Sequence, residues 1–212
     1  MDSPELAVVR FDQLDVVHAD LTFAADAVVR RLGRGFNSRA YQVDDTVLKV
    51  SRGMYSKNGA YRHLWTLEGE QALLSPYVGE YIPPTNYLVA PSEQAPDRHR
   101  VVAVQPYIGG LSMANFHASP KADRSQLVDF LECCLRMYRK TGYAPDIANI
   151  QTGFDIFRNH NVVISDSPAT DGKPHLVDTN FGRFQRSKTF GPLWHRQIAN
   201  GAHRGLAAIR AA

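Results

Sequence analysis

The sequence predicts an α+β protein in two lobes, a five-stranded antiparallel sheet with one helix followed by a reduced helical half. Three observations carry this. Short runs rich in Val, Thr, Tyr and Leu, separated by turn residues, fill the N-terminal half. Residues 54–74 break that pattern with helical spacing, and beyond a Gly-containing break at 105–110 a second helical stretch follows with apolar residues on one face. With 212 residues, 44% of them hydrophobic, the chain can bury a real core as one domain or two small lobes.

The elements read in order as follows. Residues 1–25 are mixed, and a short helix is expected there. Residues 27–32 form a strand entering a turn at Gly33, Gly35 and Ser38. Tyr41 and Val43 alternate with polar residues, Asp44-Asp45 makes a tight turn, and Thr46, Val47, Leu48 and Val50 return as a strand, which places Lys49 inside it. The helix at 54–74 is interrupted early by Gly59, carries Glu68 and Glu70 in its last turns, and is followed by Leu73, Leu74 and Tyr77 at core-like spacing. Residues 81–89, with Pro83-Pro84 among them, and 100–104 complete the sheet around a polar loop at 91–98. This sets an N-lobe at about 1–104, a hinge at about 105–110 and a C-lobe at about 111–212.

In the second lobe Ser119-Pro120 is a cap-then-proline helix start. Leu127, Val128, Leu131, Cys134, Leu135 and Tyr138 recur on one face until Thr141-Gly142 ends the helix. Strands at 161–164 and 176–178 follow, with a polar loop at 165–173 between them.

Several function classes are excluded. A net charge of +3 without a long basic run interleaved with aromatics does not suit a nucleic-acid binder. Cys133 and Cys134 are helix neighbours that cannot easily bridge and lack metal spacing, so they read as core thiols. Eight scattered histidines form no zinc motif. Asp2 and Glu5 stand at an N-terminus without an apolar signal-peptide core, and no run of apolar residues is long enough to span a bilayer, so a chain without a membrane partner is expected.

The chemistry-bearing residues lie in a definite order. Gly33 and Gly35 let a backbone approach phosphate oxygens, with Ser38 where a third glycine often stands. A lysine within an apolar strand is costly unless a carboxylate or phosphate compensates it, which singles out Lys49; the plainer alternative is an edge strand with its lysine in water. After the second helix come Asp146, then Asn161 opening an apolar strand, then Asp178 closing the next. Phosphoryl transfer needs such a set, one carboxylate to orient the acceptor hydroxyl and two oxygen ligands for magnesium.

Across about 28–185 these motifs resemble the protein-kinase-like superfamily, and within it the small bacterial branch of aminoglycoside-phosphotransferase-like and minimal effector-type kinases. The resemblance implies a minimal bilobal kinase fold using ATP and Mg2+. It implies that Gly33, Gly35 and Ser38 cover the phosphates, that Lys49 meets them, and that Gln105 and Tyr107 in the hinge meet adenine. Glu70, with leucines three and four residues on, is implied as the partner of Lys49, with Glu68 in reserve. Asn161 and Asp178 are implied as the metal ligands, Thr179-Asn180 standing where the family has Phe-Gly. For the catalytic base two candidates stay open. Asp146 has the family's distance from the helix end and is preferred, with an insertion before Asn161 that can bulge into solvent; Asp155 is nearer the family's distance from Asn161.

Ala144-Pro145 replaces the His-Arg that precedes the base in the family. Residues 111–118 are too short for a small-molecule cage, and 179–212 too few for a full set of substrate helices. The expectation is a monomeric protein kinase acting on Ser, Thr or Tyr, cytoplasmic or delivered into a host cell as an effector. A small-molecule kinase and a non-catalytic binding module are the alternatives. Arg183, Arg186 and Lys188 would form a basic rim for an acidic substrate segment.

Overall fold

The computed structural model describes residues 8–9, 27, 29–34, 37–118, 123–167, 169–170, 172–181 and 185–211. The chain divides into two units, one formed by Met1–Glu68 with Pro84–Tyr107 and the other by Gly69–Pro83 with Ile108–Ala212.

The first unit is built on an antiparallel sheet of β1 (Val8–Val9), β2 (Val29–Arg34), β3 (Ser38–Val43), β4 (Thr46–Ser51), β5 (Asn86–Pro91) and β6 (His99–Pro106), in the order β1-β2-β3-β4-β6-β5. These are the five expected strands plus a two-residue edge strand. In the stretch where a short helix was expected, Val8–Val9 pairs with Val29 and Arg30 instead, and the rest of 1–25 lies outside the described residues. One sheet face buries Tyr41, Val43, Leu48, Val50 and Val102 together. On the other, Val101 packs with Ala60, Leu64 and Leu67 of helix α1 (Lys57–Val78).

Three boundaries differ from the sequence reading. Helix α1 starts at Lys57 and passes Gly59 without a break, because the Ser56 hydroxyl accepts from the Gly59 N–H at 3.2 Å and its carbonyl accepts from Ala60 at 2.9 Å. Ser56 thus caps the helix and leaves Gly59 in the first turn, where the backbone N–H groups have no helical partner. Pro83-Pro84 stands outside the strand, which begins at Asn86, since neither proline can donate to the ladder. Finally β6 runs on to Pro106, so Gln105, expected in a linker, lies opposite Val47 in the sheet and is buried. The break comes at Tyr107, whose N–H donates to the Asp45 carbonyl at 2.7 Å.

The second unit holds the end of α1, helices α2 (Arg124–Thr141) and α3 (Gly191–Ala211), and a small antiparallel sheet of β7 (Gly110–Ser112), β8 (Val162–Ser165) and β9 (Pro174–Leu176) in that order. Leu74 and Val78 carry α1 past its expected end because both are wholly buried against this unit's core. Helix α2 is capped by Asp123, whose Oδ1 accepts from Ser125 N at 2.9 Å and Gln126 N at 3.3 Å. The expected start at Ser119-Pro120 lies outside the described residues. The helix ends where expected, at Gly142, whose φ of 74° is a left-handed cap that favours glycine. Strand β8 begins one residue after Asn161 and β9 ends at Leu176, so Asp178 follows its strand rather than closing it.

Helix α3 was not foreseen in the residues after Asp178. Its Ile198, Ala202, Leu206 and Ile209 recur at helical spacing and are buried with Leu127, Phe130, Leu131 and Cys134 of α2. Its glycines serve close packing. A Cβ on Gly201 would come within 2.2 Å of the Phe154 carbonyl oxygen, and one on Gly205 within 2.0 Å of Ile156 Cδ1.

Candidate active site

Residues 147–160 separate Asp146 from Asn161 and contain two short helical turns, Ile150–Thr152 and Ile156–Arg158. They were expected to bulge into solvent. Instead Ile156 is 1% exposed and Asn159 5%, and Gly201 and Gly205 bring the backbone of α3 against Phe154 and Ile156. The apolar Ile156 gains more from burial under α3 than it would in water, so the segment folds inward.

This inward fold returns the chain to where it left. The Asn161 Nδ2 donates to the Asp146 carbonyl at 2.9 Å across 15 positions of sequence. Val177 N–H donates to the Asn161 carbonyl at 2.8 Å, which sets Asp178 directly after a residue bonded to Asn161. Asp146, Asn161 and Asp178 are thereby brought together within the second unit. The segment before Asp146 is held as well: the Ala144 N–H donates to His195 Nδ1 at 3.0 Å, and Gln185 Nε2 donates to the Ala144 carbonyl at 3.5 Å. His195 meets the rings of Tyr143 and Phe181 edge-on, and those two stack at 5.9 Å.

Burial pushes the Asp146 carboxyl up to about 7, and the nearby negative charge of Asp178 adds to the shift. A carboxylate whose proton leaves near neutral pH is suited to accepting one from a hydroxyl. Burial holds His195 below the usual imidazole range, although its contacts with Ala144 and Gln185 oppose this. The ring serves as a strut, its Nδ1 lying 3.0 Å from the Ala144 nitrogen and 3.1 Å from the Ala144 carbonyl oxygen.

Asp155 has other work. Its Oδ1 caps the turn Ile156–Arg158 by accepting from Phe157 N at 2.9 Å, and its Oδ2 lies 3.7 Å from Arg158 Nε. With Ala114, Asn149, Thr152, Phe157, Arg158 and His160 it lines a cavity of about 570 Å³.

Of the two glutamates in α1, Glu70 is 8% exposed and Glu68 lies on the solvent side. Arg186 does not stand free on a basic rim, because its guanidinium bonds both Glu70 oxygens, at 2.5 and 2.8 Å. The Phe181 N–H adds a third bond to Glu70 at 3.1 Å. Lys188 is exposed, and Arg183 lies outside the described residues.

In the first unit Lys49 sits mid-strand in β4, half-buried, between Ala40 and Ala103, on the sheet face that carries Val101 toward α1. Gly33 lies at a register shift between β2 and β3, and Ser38 opens β3 opposite Ser51. Gly35 lies outside the described residues. Tyr107 is exposed.

The donor set suits a hard cation shared with phosphate oxygens. With Nδ2 committed to Asp146, the Asn161 amide offers Oδ1, Asp178 offers a carboxylate, and the buried Asn180 Oδ1 has no partner among the described residues. No cluster of three His, Cys, Asp or Glu side chains that could hold a metal occurs among the described residues. Magnesium takes few protein oxygens and keeps water and phosphate, so these residues fit it. Asn159, His195 and the α3 glycines escaped sequence reading, and Arg186 was read there as part of a basic rim rather than as the partner of Glu70; for Asn159 the local trace was its pairing with Asn161 two positions apart.

No protein-family model matches the chain, and no curated protein matches it in sequence. Solved structures do. A Legionella pneumophila kinase, Lpg2603 bound to IP6, superposes with a TM-score of 0.53 at 13% identity, covering 85% of this chain and 68% of that one. WbdD bound to the kinase inhibitor LY294002 matches with a TM-score of 0.39 at 17% identity, over 74% of this chain and 34% of that one. No helix among the described residues is long and apolar enough to cross a membrane. The first likeness, with the sheet and helices described above, shows a kinase-like α+β fold.

Proposed function

We propose that the protein is an ATP- and magnesium-dependent phosphotransferase that phosphorylates a Ser, Thr or Tyr hydroxyl of a protein. The observation that carries this reading is the bond from Asn161 to the Asp146 carbonyl, which draws a base candidate and a metal-ligand candidate together across a long sequence gap, with Asp178 alongside. Asp146 would accept the proton of the acceptor hydroxyl as that oxygen bonds the γ-phosphorus and the bond from the γ-phosphorus to the bridging oxygen of ATP breaks, releasing ADP. Asn161 and Asp178 would hold magnesium, and Gly33, Gly35, Ser38 and Lys49 would hold the phosphates of ATP, with Gln105 and Tyr107 at the base. Bound Mg-ATP supplies the phosphoryl group and the positive charge that offsets developing negative charge on its oxygens. Asp155 is the weaker base because its carboxylate is engaged in capping its own turn.

The cavity beside residues 149–160 favours a second reading, since about 570 Å³ suits a small hydroxylated acceptor. Incubation with γ-labelled ATP, magnesium and either a proteome extract or a panel of small polyols and aminoglycosides separates the two. Label on protein supports the first reading and label on the small molecules the second; label on neither, under conditions where the protein is folded, refutes both in favour of a binding module.

A further inference from the structure

We propose that Asn159 is a positioning residue for phosphoryl transfer, the buckle that closes residues 147–160 so that Asp146 and Asn161 stand as near neighbours. The inference rests on the phosphotransferase reading above.

Four contacts converge on this buried residue. Its Oδ1 accepts from the Asn161 N–H at 2.6 Å, and its Nδ2 faces the Asp146 carbonyl at 3.4 Å. Its backbone N–H donates to Ile156 at 3.3 Å, and its carbonyl accepts from Ala114 N–H at 3.1 Å. The side chain touches both ends of the excursion while the backbone ties it to the unit's body. The amide orientation follows from its neighbours, since the Asn161 N–H can only donate and the Asp146 carbonyl can only accept.

The consequence for Asn161 is specific. Its side chain is pinned by Asp146 and its backbone by Asn159, so Oδ1 is left with one direction to face. A side chain that orients a metal ligand in this way typically contributes on the order of 10–100-fold to metal affinity or activity. Asparagine is required at 159 because each end needs a different partner. Alanine loses both contacts. Aspartate keeps an acceptor for Asn161 but turns a negative oxygen on the Asp146 carbonyl.

The test uses the full chain with Asn159→Ala and Asn159→Asp. Three quantities are read: the Mg2+ concentration for half-maximal turnover, hydrogen exchange at the Asn161 amide, and the melting temperature. Both variants should raise the magnesium requirement roughly 10-fold or more. Asn159→Ala should also speed exchange at Asn161 while the protein stays folded, and Asn159→Asp should leave that amide protected. A wild-type magnesium requirement in either variant overturns the proposal, as does unchanged Asn161 protection in Asn159→Ala. Hydrogen exchange needs no turnover, so a wild-type protein inactive on every acceptor refutes the phosphotransferase reading separately. An active Asn159→Ala protein with normal magnesium demand refutes only the role given to Asn159.

Discussion

Glu70 and Arg186 form a two-pronged ion pair across 116 positions of sequence, with Arg186 Nε on Oε1 and Nη2 on Oε2. The pair ties the end of α1 to the segment that follows Asp178, and the Phe181 N–H on Oε2 reinforces it. A buried carboxylate demands such partners, because losing them strands a charge away from water.

Arg186→Ala should therefore lower stability by about 1–3 kcal/mol, the lower range for a buried ion pair because the arginine side chain is 32% exposed. Arg186→Lys should recover only part, since an ammonium cannot match the fork. Urea unfolding of the three proteins measures this. A wild-type midpoint for the alanine variant would show that Glu70 is satisfied elsewhere.

The two aspartates should separate sharply. Asp146→Asn should cut single-turnover phosphoryl transfer by roughly 10²–10⁴-fold with ATP affinity nearly unchanged. Asp155→Asn should be mild, because asparagine caps a turn about as well as aspartate. A deep loss confined to Asp155→Asn would reverse the assignment.

Protonation of Asp146 should be visible in metal-free protein. Its folded value near 7 lies above its unfolded value of 3.8, so its favourable contribution is complete below about pH 4 and is lost as pH rises through about 7. Asp146→Asn should flatten that part of the stability profile. Asp178→Asn, by removing the neighbouring charge, should move the Asp146 titration to lower pH in a carboxyl NMR titration. An Asp146 value unmoved by that substitution would mean burial alone sets it.

The α3 glycines should differ in their tolerance. At Gly201 the obstacle is a backbone carbonyl, so Gly201→Ala must push the excursion away from α3 and should cost about 1–3 kcal/mol, a typical range for overpacking. At Gly205 the obstacle is the Ile156 side chain, with Cδ1 at 2.0 Å and Cγ1 at 2.6 Å, which can shift within the core where a backbone carbonyl cannot, so Gly205→Ala should cost less. Thermal melts of both variants provide the comparison, and equal losses would place the close approach elsewhere.

The sequence by itself determined what depends on neighbouring residues. The alternation around Tyr41, Val43, Leu48 and Val50 and the Asp44-Asp45 turn specify a hairpin with Lys49 in its second strand, and Gly142 specifies the end of α2. The order of Asp146, Asn161 and Asp178 was legible for the same reason, since Asp146 follows the end of α2 and Asn161 and Asp178 flank apolar strands. Local signals blurred at Gly59 and Pro83-Pro84, where a side-chain cap and a missing donor decided the boundary.

Only the tertiary structure decided how Asp146 meets Asn161 and where the residues between them go. Burial of Ile156 under α3 needs two segments distant in sequence, and the spacing of either one alone does not reveal it. The same holds for Arg186, which reads as a solvated cation until the fold sets a buried carboxylate opposite it. Strands and caps answer to nearest neighbours, whereas the desolvation that raises Asp146 and the contacts that orient Asn161 exist only once distant segments have excluded water together.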